Sequence, residues 1–118
     1  MRNDRENLIV TLTFNFSLKI IGFSETLRGI HKYEMASQVF RSGTSIGANI
    51  REAQNAESKK DFIHKFKISA KESDELEYWL TLCKMSEFYP NPSEELFKDL
   101  RSIVLIINKI ISTSKKTE

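Results

Sequence analysis

The segment 42–53 constrains the fold more than any other part of the chain, because it places small residues and two isoleucines where one helix is expected. Gly43 and Gly47 are four residues apart, so a helix puts both on one face. A glycine inside a helix costs roughly 1 kcal/mol relative to alanine. Close approach of another backbone would offset this cost. The segment therefore predicts the packing seam of a helical assembly and not a catalytic loop.

The composition favours a few long helices in one domain. The chain has 118 residues, with only 4 glycines and 2 prolines, whereas a sandwich or barrel needs more turn formers. The single cysteine, Cys83, excludes an intrachain disulfide and a cysteine metal cluster, and it fits a reducing cytoplasm. The net charge of +2 permits anionic partners without requiring them.

The N-terminus predicts neither secretion nor a membrane contact. Arg2 and Arg5 alternate with Asp4 and Glu6, which a secretory signal would not contain. The uncharged run 7–18 is too short to cross a bilayer, which takes about 20 residues. We therefore expect a cytoplasmic protein.

Hydrophobic spacing predicts four helices, at about 4–29, 33–56, 58–87 and 92–112, within a single domain over 1–118. In the first helix, strict alternation over 12–20 also fits a strand, but the helical spacing continues further along the chain and is preferred. The predicted core stripes are Leu12, Phe16, Ile20, Phe23, Leu27 and Ile30; Ala36, Val39, Gly43, Ile46, Ile50 and Ala53; Phe62, Phe66, Ser69, Ser73, Leu76, Leu80 and Cys83; and Leu96, Leu100, Ile103, Ile107 and Ile110.

Capping residues place the helix boundaries. Asn3 with Glu6, and Ser58 with Asp61, are predicted capping boxes. For the fourth helix the prediction is Asn91 as cap, followed by Pro92 and Glu94 in the first turn. Four amphipathic helices with short connections predict an all-α, antiparallel, up-down-up-down four-helix bundle.

Several apolar residues fall outside these stripes. They are Phe14, Leu18, Ile21, Tyr78, Trp79, Leu82 and Met85. A small bundle has one interior, so a second apolar face predicts a surface for self-association or for another partner. The alternative is that a wide core stripe absorbs these side chains.

The second and third helices resemble a bacterial family of four-helix-bundle proteins encoded in the intervening sequences of 23S rRNA genes. The matching residues are Gln38, Arg41-Ser42, Ser45-Ile46-Gly47-Ala48-Asn49-Ile50, Glu52-Ala53, Ser58, Asp61-Phe62, Lys65, Ile68-Ser69, Lys71-Glu72, Glu75 and Tyr78-Trp79-Leu80. The resemblance covers about half of the chain by motif and all of it by helix order. It departs at Ser69-Ala70, where the family pattern has alanine first. It implies a closed bundle and a ring-shaped homopentamer. Related accessory variability proteins of diversity-generating retroelements are thought to bind nucleic acid and a reverse transcriptase through a basic surface.

A polar stripe follows the second helix, formed by Ser45, Asn49 and Glu52. Its candidate partners on the third helix are Lys71, Glu72, Glu75 and Tyr78. Because buried polar groups need partners, we favour an interhelical network over a small binding site.

The third helix is basic at its start and acidic towards its end. Residues 58–72 contain five lysines and two acidic residues, whereas 73–87 contain four acidic residues and one lysine. The helix dipole prefers the opposite order, so the lysines do not stabilise this helix. They predict phosphate contacts, with a solvated face or pairing between subunits as alternatives. The candidate nucleic-acid-binding residues are Arg41, Arg51, Lys59, Lys60, Lys65 and Lys67.

No residue pattern predicts catalysis, a cofactor or a metal site. Asp61 and His64 have the spacing of a di-iron ligand pair, but the pattern is not repeated. Cys83 lies on an apolar stripe, and aromatic residues such as Tyr78 and Trp79 more often pack than stack on bases. The sequence therefore predicts a non-catalytic accessory protein that binds RNA or DNA, with RNA favoured. The alternative is a scaffold that docks a protein through Tyr78, Trp79 and Leu82.

Overall fold

The computed structural model describes residues 4–116, with side chains from residue 8 onward, and consists of four helices. These are α1 (Asp4–Gly29), α2 (Tyr33–Ala53), α3 (Lys59–Met85) and α4 (Glu94–Lys116). Within 4–116 no strand is present, so the all-α prediction is confirmed and the alternation over 12–20 belongs to a helix. The predicted cap Asn3 lies outside the described residues.

Each helix packs against two neighbours, which closes the bundle. α2 contacts α1 and α3, and α4 contacts α3 and α1. Near the end of α2, Glu52 pairs with Lys65 in the first half of α3. In the first half of α2, Arg41 pairs with Glu75, which lies further along α3. We infer from this order that α2 and α3 run antiparallel. The bundle measures 47 × 20 × 19 Å.

The core is built from the predicted stripes, with changes in α1 and α3. All predicted stripe residues of α2 and α4 are buried. In α1, Leu12 and Phe23 are only half-buried, and Ile30 is exposed because the helix ends at Gly29. Their places are taken by Ile9, Thr13 and Ser24. The Thr13 hydroxyl is satisfied by donating to the carbonyl oxygen of Ile9 at 2.8 Å, which lets a polar residue enter the stripe.

In α3, Phe62 is half-buried and Ile63 is buried instead. The helix begins after Ser58, whose hydroxyl accepts a hydrogen bond from the backbone N–H of Asp61 at 3.0 Å. This is half of the predicted capping box. The Asp61 carboxylate accepts a hydrogen bond from the backbone N–H of Glu57 at 3.4 Å. In a complete capping box it would accept from the N–H of the cap residue, Ser58, instead.

The start of α4 differs from the prediction. The cap is Ser93, whose hydroxyl accepts from the backbone N–H of Leu96 at 3.2 Å. Asn91 and Pro92 lie in the connection, and Pro92 is buried there. The other bounds shift as well: α2 stops at Ala53, α3 stops at Met85, and α4 continues to Lys116.

Candidate nucleic-acid interface

The predicted seam is a close contact between α1 and α2. Gly43 is buried, and a Cβ atom there would lie 2.6 Å from Cγ2 of Ile20. At Gly47 a Cβ atom would lie 3.2 Å from the backbone oxygen of Thr13. Both glycines therefore allow two helices of the same chain to approach.

In the polar stripe beside the seam, the side chains of Ser45 and Asn49 form hydrogen bonds within α2. The Ser45 hydroxyl donates to the Arg41 carbonyl oxygen at 2.6 Å, and the Asn49 amide donates to the Ser45 carbonyl oxygen at 2.9 Å. Both bonds stay within α2, because small polar side chains readily bond to the carbonyl four residues earlier. A bond between α2 and α3 that the sequence did not indicate comes from Ser69, whose hydroxyl donates to the Ile46 carbonyl oxygen at 2.9 Å.

Arg41 is held by carboxylates of α3. Its guanidinium pairs with Glu75 and lies 3.5 Å from Glu72. The indole N–H of Trp79 also points at Glu75, at 3.4 Å. Arg41 therefore links α2 to α3 through ion pairs, and its predicted phosphate contact would compete with these two carboxylates.

Lys65 is engaged in a similar way. Its Nζ atom donates to Oε1 of Glu52 at 3.0 Å, so the third member of the polar stripe does link α2 to α3. This hydrogen bond raises the pKa of Lys65 above its ordinary value. The ammonium group of Lys65, which was predicted to contact phosphate, is therefore already bound to a carboxylate.

Three other cations converge on a groove between the start of α3 and the end of α4. The groove is lined by Lys60, Ile63, His64, Lys67 and Lys115. Positions 60, 63, 64 and 67 share one helix face, because they recur at steps of three and four. None of these described lining residues is acidic. Lys59, next to the groove in sequence, is exposed.

Lys115 lines this cationic groove but was not among the residues predicted to bind phosphate. The predicted fourth helix ended at 112, whereas α4 continues to Lys116. The sequence contains a basic pair at 115–116. The packing of α4 on α3, which the sequence does not reveal, brings Lys115 beside Lys60.

Arg51 lies apart from the cationic groove. It lines a different depression, between α1 and α2, with Phe14, Gly47 and Ala48. None of the predicted phosphate-binding lysines lines this depression.

The predicted partner surface on α3 is largely exposed. Tyr78 and Leu82 are exposed, and Met85 continues their row at 77% exposure. Trp79 is half-buried and meets the Tyr78 ring edge-on, with the ring centroids 5.2 Å apart. The row Tyr78–Leu82–Met85 is therefore an apolar surface, while Trp79 is mainly a packing residue.

Cys83 is a poor nucleophile in this fold, and the metal-binding side chains among the described residues do not cluster. Burial raises the pKa of the Cys83 thiol to about 11, so the reactive thiolate is scarce at neutral pH. Among the described residues, no group of three or more His, Cys, Asp or Glu side chains could hold a metal ion.

The length and composition of α1 bear on the prediction that the chain does not cross a membrane. Over Leu8–Gly29, α1 is long and apolar enough to cross a bilayer by length and composition alone, although its longest uncharged run is short. Core helices of bundles pass the same test, and Phe16, Ile20 and Leu27 are buried against the other helices.

The sequence pattern of the 23S rRNA-intervening sequence proteins matches residues 5–112. The chain belongs to this family. The chain is also similar to a solved structure from Bacteroides thetaiotaomicron VPI-5482, a protein of unknown function from the S23 ribosomal protein family. The two sequences are 36% identical, the match covers 92% of this chain and 98% of the other, and the TM-score is 0.84. No curated protein matches the chain.

Proposed function

We propose that this protein is a non-catalytic, cytoplasmic accessory protein that binds RNA through the cationic groove. The observation that carries the proposal is the convergence of Lys60, Lys67 and Lys115 from two helices on one depression that no described acidic residue lines. Lysine ammonium groups bind phosphate as point charges, and such contacts provide affinity without reading the sequence.

The charge distribution of α3 and α4 supports this proposal. Residues 59–72 and 100–116 contain nine basic and two acidic residues, whereas 73–99 contain two basic and seven acidic residues. Because α3 begins where α4 ends, the basic halves of both helices lie at one end of the bundle. In α3 this order opposes the helix dipole, so stability of the isolated helix does not explain it.

Fluorescence anisotropy with a labelled single-stranded RNA at several salt concentrations tests the proposal. We expect affinity to fall as salt rises, with a slope of about −0.7 in log K against log salt for each phosphate neutralised. The variant Lys60→Gln/Lys67→Gln should bind more weakly, with the slope reduced in magnitude by roughly 1.4. Lys115→Gln should act in the same direction, which would establish that α4 contributes.

The matched control is Lys71→Gln/Lys98→Gln, which removes two exposed lysines outside the groove. It changes the net charge equally and should alter the salt slope much less. Absence of RNA binding, or an equal loss of affinity in both double variants, would refute a localised phosphate site.

The exposed row Tyr78–Leu82–Met85 supports a second candidate, a scaffold that docks a protein partner. Exposed apolar rows of this kind mark interaction surfaces. In that case a partner would co-purify after nuclease treatment, and Leu82→Glu would abolish the association while Lys60→Gln would not. Loss of the partner on nuclease treatment would favour the RNA-binding proposal.

A further inference from the structure

The cationic groove contains one titratable side chain that the proposed phosphate contacts do not use. His64 lines the groove four residues after Lys60 and three residues before Lys67, so all three share one face of α3. Lys115 lines the same groove from α4. His64 is exposed, and it therefore lies among the lysines with its ring open to a ligand.

The charged groups that line the groove with His64 are all basic among the described residues. Two lysines come from its own helix and one comes from α4, which packs against α3. The nearest acidic residue along α3 is Asp61, one turn earlier, and it is not among the residues that line the groove. The Asp61 carboxylate accepts a hydrogen bond from a backbone N–H that precedes the helix, at 3.4 Å. An anion for a protonated His64 would therefore come from a ligand.

Imidazole differs from the lysine ammonium groups because its charge changes near neutral pH. A histidine side chain gains a proton between about pH 8 and 5, and both ring nitrogens of the cation then donate hydrogen bonds. Positive charges gathered in one groove repel one another, and a phosphate that enters relieves this repulsion. Phosphate binding and protonation of a histidine in such a groove therefore favour each other, by the same factor in both directions.

We propose that His64 is a further phosphate-binding residue of the cationic groove, which contacts RNA as an imidazolium and makes RNA binding stronger as pH falls. This inference rests on the RNA-binding function proposed above. Lysine side chains stay charged throughout this pH range, so His64 is the described residue of the groove whose charge changes. RNA that binds through His64 takes up as much as one proton with it.

Fluorescence anisotropy with a labelled oligouridylate, at constant ionic strength between about pH 5.5 and 8, tests this inference. The RNA should have hydroxyl ends, because a terminal phosphate itself gains a proton near about pH 6. For the wild type we expect about tenfold higher affinity at the acidic end of the range, the contribution of one hydrogen bond between charged groups. The slope of log K against log salt should also be steeper there, by about 0.7, because one more phosphate is neutralised.

Two substitutions of His64 separate the effect of its charge from that of its shape. His64→Gln has no charge, so it should bind at every pH with the affinity that the wild type has at the alkaline end of the range. His64→Lys has a permanent charge, so it should bind at every pH about as tightly as the wild type does at the acidic end. The position is exposed, and circular dichroism verifies that both variants remain folded.

The matched control is His31, the other histidine of the chain. It precedes α2, whereas the groove begins after α2 has ended, so the 21 residues of that helix, about 30 Å, separate the two histidines. The φ angle of His31 is 65°, which asparagine tolerates, so the control substitution is His31→Asn. This variant should keep the pH dependence of the wild type.

Equal RNA affinity at both ends of the pH range would overturn this inference and leave the proposed function intact. The same conclusion would follow if His64→Gln kept the pH dependence, or if His31→Asn lost it. Absence of RNA binding at every pH would overturn both this inference and the proposed function.

Discussion

Gly43 and Gly22 both lie inside helices, yet an added methyl group would meet different surroundings at the two positions. At Gly43 it would meet the β-branched carbons of Ile20, a fully buried side chain with little freedom to move. At Gly22 no atom lies within 4 Å of the added carbon. The sequence predicted close packing from the spacing of Gly43 and Gly47. It could not name Ile20 as the neighbour, because that depends on the register between α1 and α2.

These surroundings predict opposite effects of the same substitution. Gly43→Ala should destabilise the fold by about 1–2 kcal/mol, because overpacking outweighs the gain in helix propensity. Gly22→Ala, the matched control, should stabilise it by up to about 1 kcal/mol, because only the propensity changes. Urea denaturation measures both. Equal effects at the two positions would show that the α1–α2 contact is not tight.

The buried thiol of Cys83 leads to a second prediction at this scale. Its pKa is raised to about 11 by burial, so the folded state holds the thiol proton to higher pH than the unfolded chain does. The associated stability is present below pH 9 and is lost as pH rises towards 11.

The rate at which Cys83 reacts with a thiol reagent measures how well the thiol is buried and protonated. At pH 8 the native protein should react with a disulfide reagent far more slowly than the urea-unfolded protein, because the native thiol is buried and protonated. Fast stoichiometric labelling of the folded protein would mean that α3 opens readily around Cys83.

At the scale of the helices, hydrophobic spacing predicted α2 and α4 best. Most apolar residues of each helix lie on one face, and every predicted stripe residue in these two helices is buried. α1 was harder because apolar residues occur on both its buried and its exposed face, as with Phe16 and Phe14. In addition, Thr13 and Ser24 occupy core positions that a hydrophobic pattern does not include.

The helix ends were less predictable still, since Asn91 and Ser93 are both good caps and only the backbone geometry distinguishes them.

The cap of α4 provides a test. Ser93→Ala should cost about 1 kcal/mol of stability, because it removes the acceptor for the backbone N–H of Leu96. Asn91→Ala should change stability little, because Asn91 is exposed in the connection. Thermal unfolding of the two variants side by side would show the difference. A larger loss of stability for Asn91→Ala would indicate that Asn91 is the cap, as predicted from the sequence.

At the scale of the whole molecule, the sequence predicted an all-α bundle and a basic region, but not the composition of the cationic groove. Of the six predicted phosphate contacts, Arg41 and Lys65 pair with carboxylates, and Arg51 lines the separate depression between α1 and α2. Charge counting along a single helix could not detect these ion pairs, because each one joins a residue of α2 to a residue of α3.

The separation of basic and acidic halves along α3 and α4 also affects how the protein meets a polyanion. A net charge of +2 is small, but the charges are displaced along a bundle 47 Å long. Charges separated in this way orient a molecule in the field of a polyanion before contact. The lysine-bearing end would arrive first, so that many more diffusional collisions are productive than the net charge alone suggests.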